Sequence, residues 1–139
     1  MNLDMSVAPE IALLGAGGGV VAARATIGAL AAELRGIASR PERWWGSVRF
    51  TPGRSFKKDL EVPGFWVVTL APGDPGIYCG CEVMTVVAGS VIEESVADGG
   101  AVATTLQPGR IRVHGQGQVH QIRAAGDGFA VSLHVRGGA

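Results

Sequence analysis

The sequence predicts an all-β domain, a sandwich or barrel, preceded by one amphipathic helix. Three observations lead there. From Trp44 onward the chain is a succession of short runs of β-branched and aromatic residues, with no long helical period among them. Five of the seven prolines (Pro52, Pro63, Pro72, Pro75 and Pro108) are followed by glycine, which supplies the positive φ that a type II turn needs at its third position. The length, 139 residues, suits one compact domain that buries a real core.

The elements follow in order. The glycine-rich stretch Glu10–Ala25 is not a secretory signal, because Asp4 and Glu10 stand where such a segment carries positive charge. It is not a dinucleotide fingerprint either: Gly15 and Gly17 fit the first two glycines, but the third position falls on Val20 and no βαβ unit follows. Residues 1–25 are therefore expected to form a flexible or partly helical lead-in, and 26–139 the domain. Thr26 is placed to cap a helix whose apolar face carries Ile27, Leu30, Ala31, Leu34 and Ile37, and Pro41 ends it. Strands are expected near Phe65–Ala71, Val83–Glu93, Ala101–Leu106, Arg110–His114, Val119–Arg123 and Phe129–Arg136.

Charge and cysteine content exclude several functions. Twelve basic residues balance twelve acidic ones, and no basic cluster exceeds Lys57-Lys58, so the electrostatic footprint of a nucleic-acid binder is missing. No membrane partner is expected. Two cysteines are too few for a secreted disulfide scaffold, which favours a reducing, cytoplasmic setting. The expected partner is a small molecule, with a homodimer as the other association considered.

In a barrel wall alternate side chains turn inward, so His120 and His134, each in a strand, are candidates for one shared cavity. There they are either an acid/base pair, since imidazole titrates near neutral pH, or core histidines bonded to a partner such as Ser132 or Tyr78. His114 reads as a strand-end surface residue, and Glu93 with Glu94 as a strand-end charge pair. Trp44, Trp45 and Trp66 read first as packing residues, and Lys57-Lys58-Asp59 first as a solvated turn.

The segments "PERW" (Pro41–Trp44), "RFTPGRSFKKDL" (Arg49–Leu60), "FWVVTLAPG" (Phe65–Gly73), "GQVHQI" (Gly117–Ile122) and "FAVSLHV" (Phe129–Val135) together resemble bacterial cysteine dioxygenases of the cupin superfamily. The likeness covers most of the chain after Ala31. It implies a small cupin β-barrel, or jelly roll, with the site in its mouth. It also implies ferrous iron held by a His-x-His pair and a later histidine, an arginine gripping the substrate carboxylate, and a late His and Tyr. The chain departs from this plan at most of those points. The His-x-His positions fall on Cys79 and Cys81, the third ligand matches His120, and the late histidine matches His134. Asp59 stands at the carboxylate-binding arginine, Lys57 where tyrosine is common, and Arg136 at the late tyrosine. An acid in place of a bidentate guanidinium implies that cysteine is held poorly.

Three readings of Cys79-Gly80-Cys81 stand. Gly80 is the tip of a shortened hairpin flanked by two small hydrophobes. Alternatively, Cys79, Cys81 and His120 form a soft metal site. The third reading is a redox pair, disfavoured by the strain of a Cys-x-Cys ring. On the hairpin reading, the preferred one, no cofactor is expected; the metal reading admits zinc or copper, or iron through the resemblance. The leading functional expectation is a diverged cupin enzyme of a specialised pathway that isomerises, cyclises or dehydrates a small organic molecule without metal. Its catalytic residues would be His120, His134 and Tyr78, and its substrate-binding residues Lys57, Asp59, Trp66 and Arg136. A thiol dioxygenase-like metalloenzyme and a non-catalytic ligand- or partner-binding protein are the alternatives.

Overall fold

The computed structural model describes residues 26–97, 99–114 and 120–137. The glycine-rich lead-in, Val119 and the beginning of the "GQVHQI" segment lie outside the described residues. The helix α1 runs Ile27–Ala38, and the Thr26 hydroxyl accepts from the Ala29 N–H at 3.0 Å. A cap of this kind stabilises a helix by about 1 kcal/mol. Leu30, Leu34 and Ile37 are buried, whereas Ile27, in the first turn, stays largely exposed. Single 3-10 turns at Pro41–Arg43 and Trp45–Ser47 follow, and buried Trp44 donates through Nε1 to the Ala38 carbonyl, closing the end of the helix.

Nine strands complete the described fold: β1 Phe56–Asp59, β2 Phe65–Leu70, β3 Ile77–Cys79, β4 Val83–Ala88, β5 Val91–Ala97, β6 Gly100–Leu106, β7 Ile111–Val113, β8 His120–Ala124 and β9 Ala130–Val135. Every pairing is antiparallel, in a five-stranded sheet ordered β1-β2-β9-β4-β7 and a four-stranded sheet ordered β3-β8-β5-β6. The expected β-rich fold with one leading helix is present as two separate antiparallel ladders; among the described residues the strands do not pair into one closed wall.

The five-stranded sheet is covered on both faces. Trp66, Val68 and Leu70 of β2, Met84 and Val86 of β4 and Ala130 of β9 turn inward to meet Val91, Leu106, Ile122 and Ala124 of the other sheet. Phe65, Val67, Val83, Val131, Leu133 and Val135 turn outward under Leu30, Leu34, Ile37 and Trp44. Double coverage explains why β2 and β9 read as unbroken apolar runs: all six residues of each are buried. The four-stranded sheet has one wet face and alternates, with His120, Ile122 and Ala124 buried and Gln121 and Arg123 partly exposed.

The glycine of each Pro-Gly pair has positive φ: Gly53, Gly64, Gly73, Gly76 and Gly109. Gly89 also has positive φ, and a side chain there would overlap the Phe129 carbonyl. It breaks the expected strand Val83–Glu93 into β4 and β5, which belong to different sheets. The same partition removes the hairpin at Gly80. β3 pairs with β8 and β4 with β9 and β7, so Cys79-Gly80-Cys81 is a crossover between sheets. The Lys57–Asp59 segment, read as a turn, is the exposed edge strand β1.

Asp74 ties the turns together, accepting from the Ser55 N–H at 2.7 Å and the Gly76 N–H at 3.1 Å, while the Ser55 hydroxyl accepts from the Ala71 N–H. The Gly76 N–H foremost holds the Asp74 carboxyl below its ordinary pKa of 3.8. Because the folded value is the lower one, this contribution is present at neutral pH and is lost as pH falls below 3.8 toward the folded value. Asp74→Ala is expected to cost roughly 1–2 kcal/mol in urea unfolding at pH 7, and less at pH 3. An equal loss at both pH values would contradict the assignment.

Candidate functional site

The two sheets bring their polar inward residues to one end of the sandwich. In the five-stranded sheet, His134 pairs with Trp66 on one side and Met84 on the other, and Met84 with Arg112, so these four form one cross-strand row. In the four-stranded sheet, His120 pairs with Cys79 and Ser95. Cys81 enters from the crossover and His114 from the residue after β7, its N–H bonded to the Glu82 carbonyl. Burial of this many polar side chains requires that they satisfy one another.

The centre is a thiol–imidazole cluster. The free sulfurs of Cys79 and Cys81 are 2.8 Å apart, both buried. His134 Nδ1 lies 3.2 Å from the Cys79 sulfur and 3.4 Å from that of Cys81, while its Nε2 meets the Ser132 hydroxyl at 2.8 Å. His120 Nε2 is 3.9 Å and His114 Nδ1 3.7 Å from the Cys81 sulfur. The His114 and His120 rings stack with centroids 3.7 Å apart. His114 Nε2 bonds one oxygen of Glu93, and Arg112 Nε donates to the other at 2.7 Å.

The electrostatics differ for the two thiols. The hydrogen bond with Cys81, foremost, holds Cys79 well below the ordinary thiol range; burial opposes it, and His120 and His134 reinforce it. The hydrogen bond with Cys79, then burial, pushes Cys81 up. Burial alone would raise the Glu93 pKa, but the His114 hydrogen bond and charge, with Arg112, outweigh it and hold the carboxyl low.

Above the cluster is a cleft of about 420 Å³ whose lining includes Lys57, Asp59, Trp66 and Arg136. The structure therefore brings all four proposed substrate-binding residues to one place. Trp66 is its floor: its ring lies parallel to that of His134, within 7°, at 5.6 Å. Lys57 Nζ is 4.6 Å and the Arg136 guanidinium 5.9 Å from the Trp66 ring centre, and Arg136 Nε donates to the Gly80 carbonyl. A larger cleft of about 540 Å³ is lined by Glu42, Arg43, Lys58 and Glu61 among others. Neither cleft is lined by a thiol or an imidazole; Trp66, stacked on His134, and Arg136, bonded to Gly80, tie the smaller one to the cluster.

Several residues lie elsewhere than expected. Tyr78, expected to be catalytic, is 74% exposed, because Cys79 turns inward and alternation sends its neighbour outward. His114, read as a surface residue, is 6% exposed, and Glu93, assigned no role, is 1% exposed between the sheets. The imidazole partner of the two weighed is Ser132 and not Tyr78. His120, His134, Cys79 and Cys81 are together in the cluster. The Glu93–His114 pair carries the signal of a charged residue in phase with Val91 on a strand, which becomes visible once β5 is seen to begin after Gly89.

No family model matches the chain, and no curated protein matches it. Solved structures do. Drosophila melanogaster CENP-C bound to CAL1 is 17% identical with a TM-score of 0.52, over 76% of this chain and 97% of that one. The Drosophila melanogaster CENP-C cupin domain is 16% identical with a TM-score of 0.48, over 97% of this chain and 99% of that one. A conserved protein of unknown function from Streptococcus pyogenes is 16% identical at 0.48, over 68% of this chain and 84% of that one. Of these, the first shares the fold of this chain. At such identities the likeness shows the fold alone and does not reach the cysteine dioxygenases. Among the described residues no helix is long and apolar enough to cross a membrane.

Adjacent glutamates test the site's polar network. Glu93→Ala leaves His114 and Arg112 without their shared carboxylate and is expected to cost roughly 2–3 kcal/mol of unfolding stability. Glu94→Ala, whose partly exposed side chain meets Arg123 only at 3.8 Å, is expected to change it by less than about 0.5 kcal/mol. Equal effects in denaturant titrations would remove Glu93 from the interior network.

Proposed function

We propose that this chain is a diverged relative of the thiol dioxygenases that binds a soft divalent metal ion, zinc foremost, in the interior of its cupin fold. The observation that carries the reading is convergence: donor atoms of Cys79, Cys81 and His120, all buried, lie within 4.8 Å of one another. His134 Nδ1, 3.2 and 3.4 Å from the two sulfurs, is in place as a fourth donor. Two thiolates with one or two imidazoles are a zinc or copper set. They do not fit a ferrous oxygen-activating centre, for which nitrogen and carboxylate ligands are usual. When bound, the ion would supply a positive charge that matches the two thiolates in the interior.

The chain's own residues argue for binding over metal-free acid/base chemistry. Both ring nitrogens of His134 are engaged, one by Ser132 and the other by the sulfurs, and Trp66 separates the ring from the cleft. Lys57 and Arg136 offer the cleft two cations against the single acid Asp59, which suits the anionic group of a small molecule. A second reading, a partner-binding module, is favoured by Trp45 and Phe50, each at least half exposed and in ring contact with one another; Phe50 also touches Phe129. The CENP-C neighbour is itself bound to a protein, CAL1. Sedimentation at rising concentration tests the simplest form, a second copy: a monomer throughout would remove it.

Metal content tests the main reading. Protein purified from zinc-supplemented medium is expected to carry stoichiometric zinc, and its cobalt-substituted form thiolate-to-metal charge-transfer absorption. Cys79→Ser and Cys81→Ser should each weaken zinc at least roughly 100-fold, the upper end of what loss of a mere supporting contact costs. Tyr78→Phe should leave it unchanged. Stoichiometric iron, or no metal in the folded wild-type protein, would overturn the proposal.

A further inference from the structure

We infer that Cys79 and Cys81 also form a reversible disulfide, making the interior cluster a two-electron thiol/disulfide couple oxidised by a small hydroperoxide and reset by a low-molecular-weight thiol. The couple stands on its own geometry. Only its consequence, that closure abolishes metal binding, rests on the metal reading above.

Four observations carry it. The sulfurs are 2.8 Å apart, inside the roughly 3.5–4.0 Å of ordinary unbonded heavy-atom contact and within about 1 Å of a disulfide bond length. The three residues that must bend to close the gap belong to neither ladder beyond Cys79, because β3 ends there and β4 starts at Val83. The middle residue, Gly80, has no side chain to resist the bend and is exposed, whereas both cysteines are buried. Gly80 is thus the exposed member of the segment, flanked by the two buried thiols. Finally, Arg136 Nε holds the Gly80 carbonyl at 2.9 Å, and a side chain on Gly80 would meet the Arg136 guanidinium at 2.7 Å. The crossover is thus pinned at its outer edge with the thiols turned toward each other beneath it.

The chemistry balances with the hydroperoxide and the monothiol as its only co-reactants. The Cys79 sulfur attacks one peroxide oxygen, the O–O bond breaks, and the other oxygen leaves as an alcohol or water, with Cys79 as sulfenic acid. The Cys81 sulfur then displaces that hydroxyl as water, and the S–S bond forms. Two thiols and one hydroperoxide become one disulfide, one alcohol and one water. Two equivalents of a monothiol reverse it, themselves ending as a disulfide. A ring closed across a single residue is strained, and strained disulfides are the readily reduced, regulatory ones. Reset by a cellular thiol pool follows from that strain.

The experiment uses the full chain after chelation of any metal. With one equivalent of hydrogen peroxide, intact mass should fall by two hydrogens, both thiols should become unreactive under denaturing conditions, and excess glutathione should restore them. Non-reducing electrophoresis should show a monomer. Cys79→Ser and Cys81→Ser should each give only a sulfenic acid, trapped by dimedone. Wild-type protein that gains oxygen without losing two hydrogens, that cross-links between chains, or that remains a dithiol would overturn the inference. Zinc titration separates the two proposals. Failure of the reduced protein to bind zinc while the disulfide still forms sinks the metal reading alone. Zinc binding with no disulfide sinks this one alone, and zinc binding that survives disulfide formation removes the coupling.

Discussion

The strand β9 carries two incompatible demands, and the rest of the molecule is arranged around meeting both. Its outward residues Val131, Leu133 and Val135 need the helix, and its inward residues Ala130, Ser132 and His134 need the second sheet. A strand covered on both faces can keep a polar side chain only if another brings it a partner. His134 meets this by two routes. Ser132, two residues back on the same face, engages Nε2, and the thiols from the opposing sheet and crossover engage Nδ1. Packing of the two sheets and assembly of the cluster are thus a single event: moving them apart would expose His134, Cys79 and Cys81 together.

The same logic explains Glu93. A carboxylate between two sheets is expensive unless its charge is matched and its lone pairs are engaged. Arg112, on the inward row of the five-stranded sheet, takes one oxygen and His114 the other. Arg112 is half in solvent, so the ion pair reaches the edge of the sandwich and is not sealed within it. Glu93 thereby fixes the orientation of the His114 ring, whose Nδ1 faces Cys81 and whose plane lies against His120. Polar residues from β5, β7 and β8 are locked to one another by a group whose own burial depends on them.

What was legible in the sequence was whatever is decided by a few adjacent residues. The cap at Thr26, the spacing of Leu30, Leu34 and Ile37 and the Pro-Gly turns depend on local stereochemistry, and the structure has each of them. The inward placement of His120 and His134 followed from strand alternation. The errors arise where phase or pairing is set from far away. Taking Val83–Glu93 as one strand puts Glu93 in phase with Val83, on the face beneath the helix. The turn at Gly89 restarts the count, and Glu93 falls inside the sandwich with Val91. The Cys-Gly-Cys segment looks like a hairpin tip because its flanking strands are adjacent in sequence, yet they belong to different sheets, β3 pairing with β8 and β4 with β9 and β7. Tyr78, expected as a partner of the histidines, is sent out by the same alternation that turns Cys79 inward.

Trp66 is where the interior cluster and the outer cleft meet. Its indole has one face against His134 and cations at its other approaches, so anything occupying the cleft acts on the same ring that covers the imidazole. Lys57 and Arg136 are held there partly by the ring's electron density, a modest attraction of about 0.5–1 kcal/mol each at exposed sites. An anion between them would compete with that attraction. Arg136 also grips the carbonyl of Gly80, so drawing its guanidinium toward a ligand would loosen the segment that sets the spacing of the two thiols. The Cys79-Gly80-Cys81 segment thus places two sulfurs 2.8 Å apart on a crossover whose outer edge is fastened by an arginine that lines the cleft, so the position of that guanidinium bears on the spacing of the two thiols.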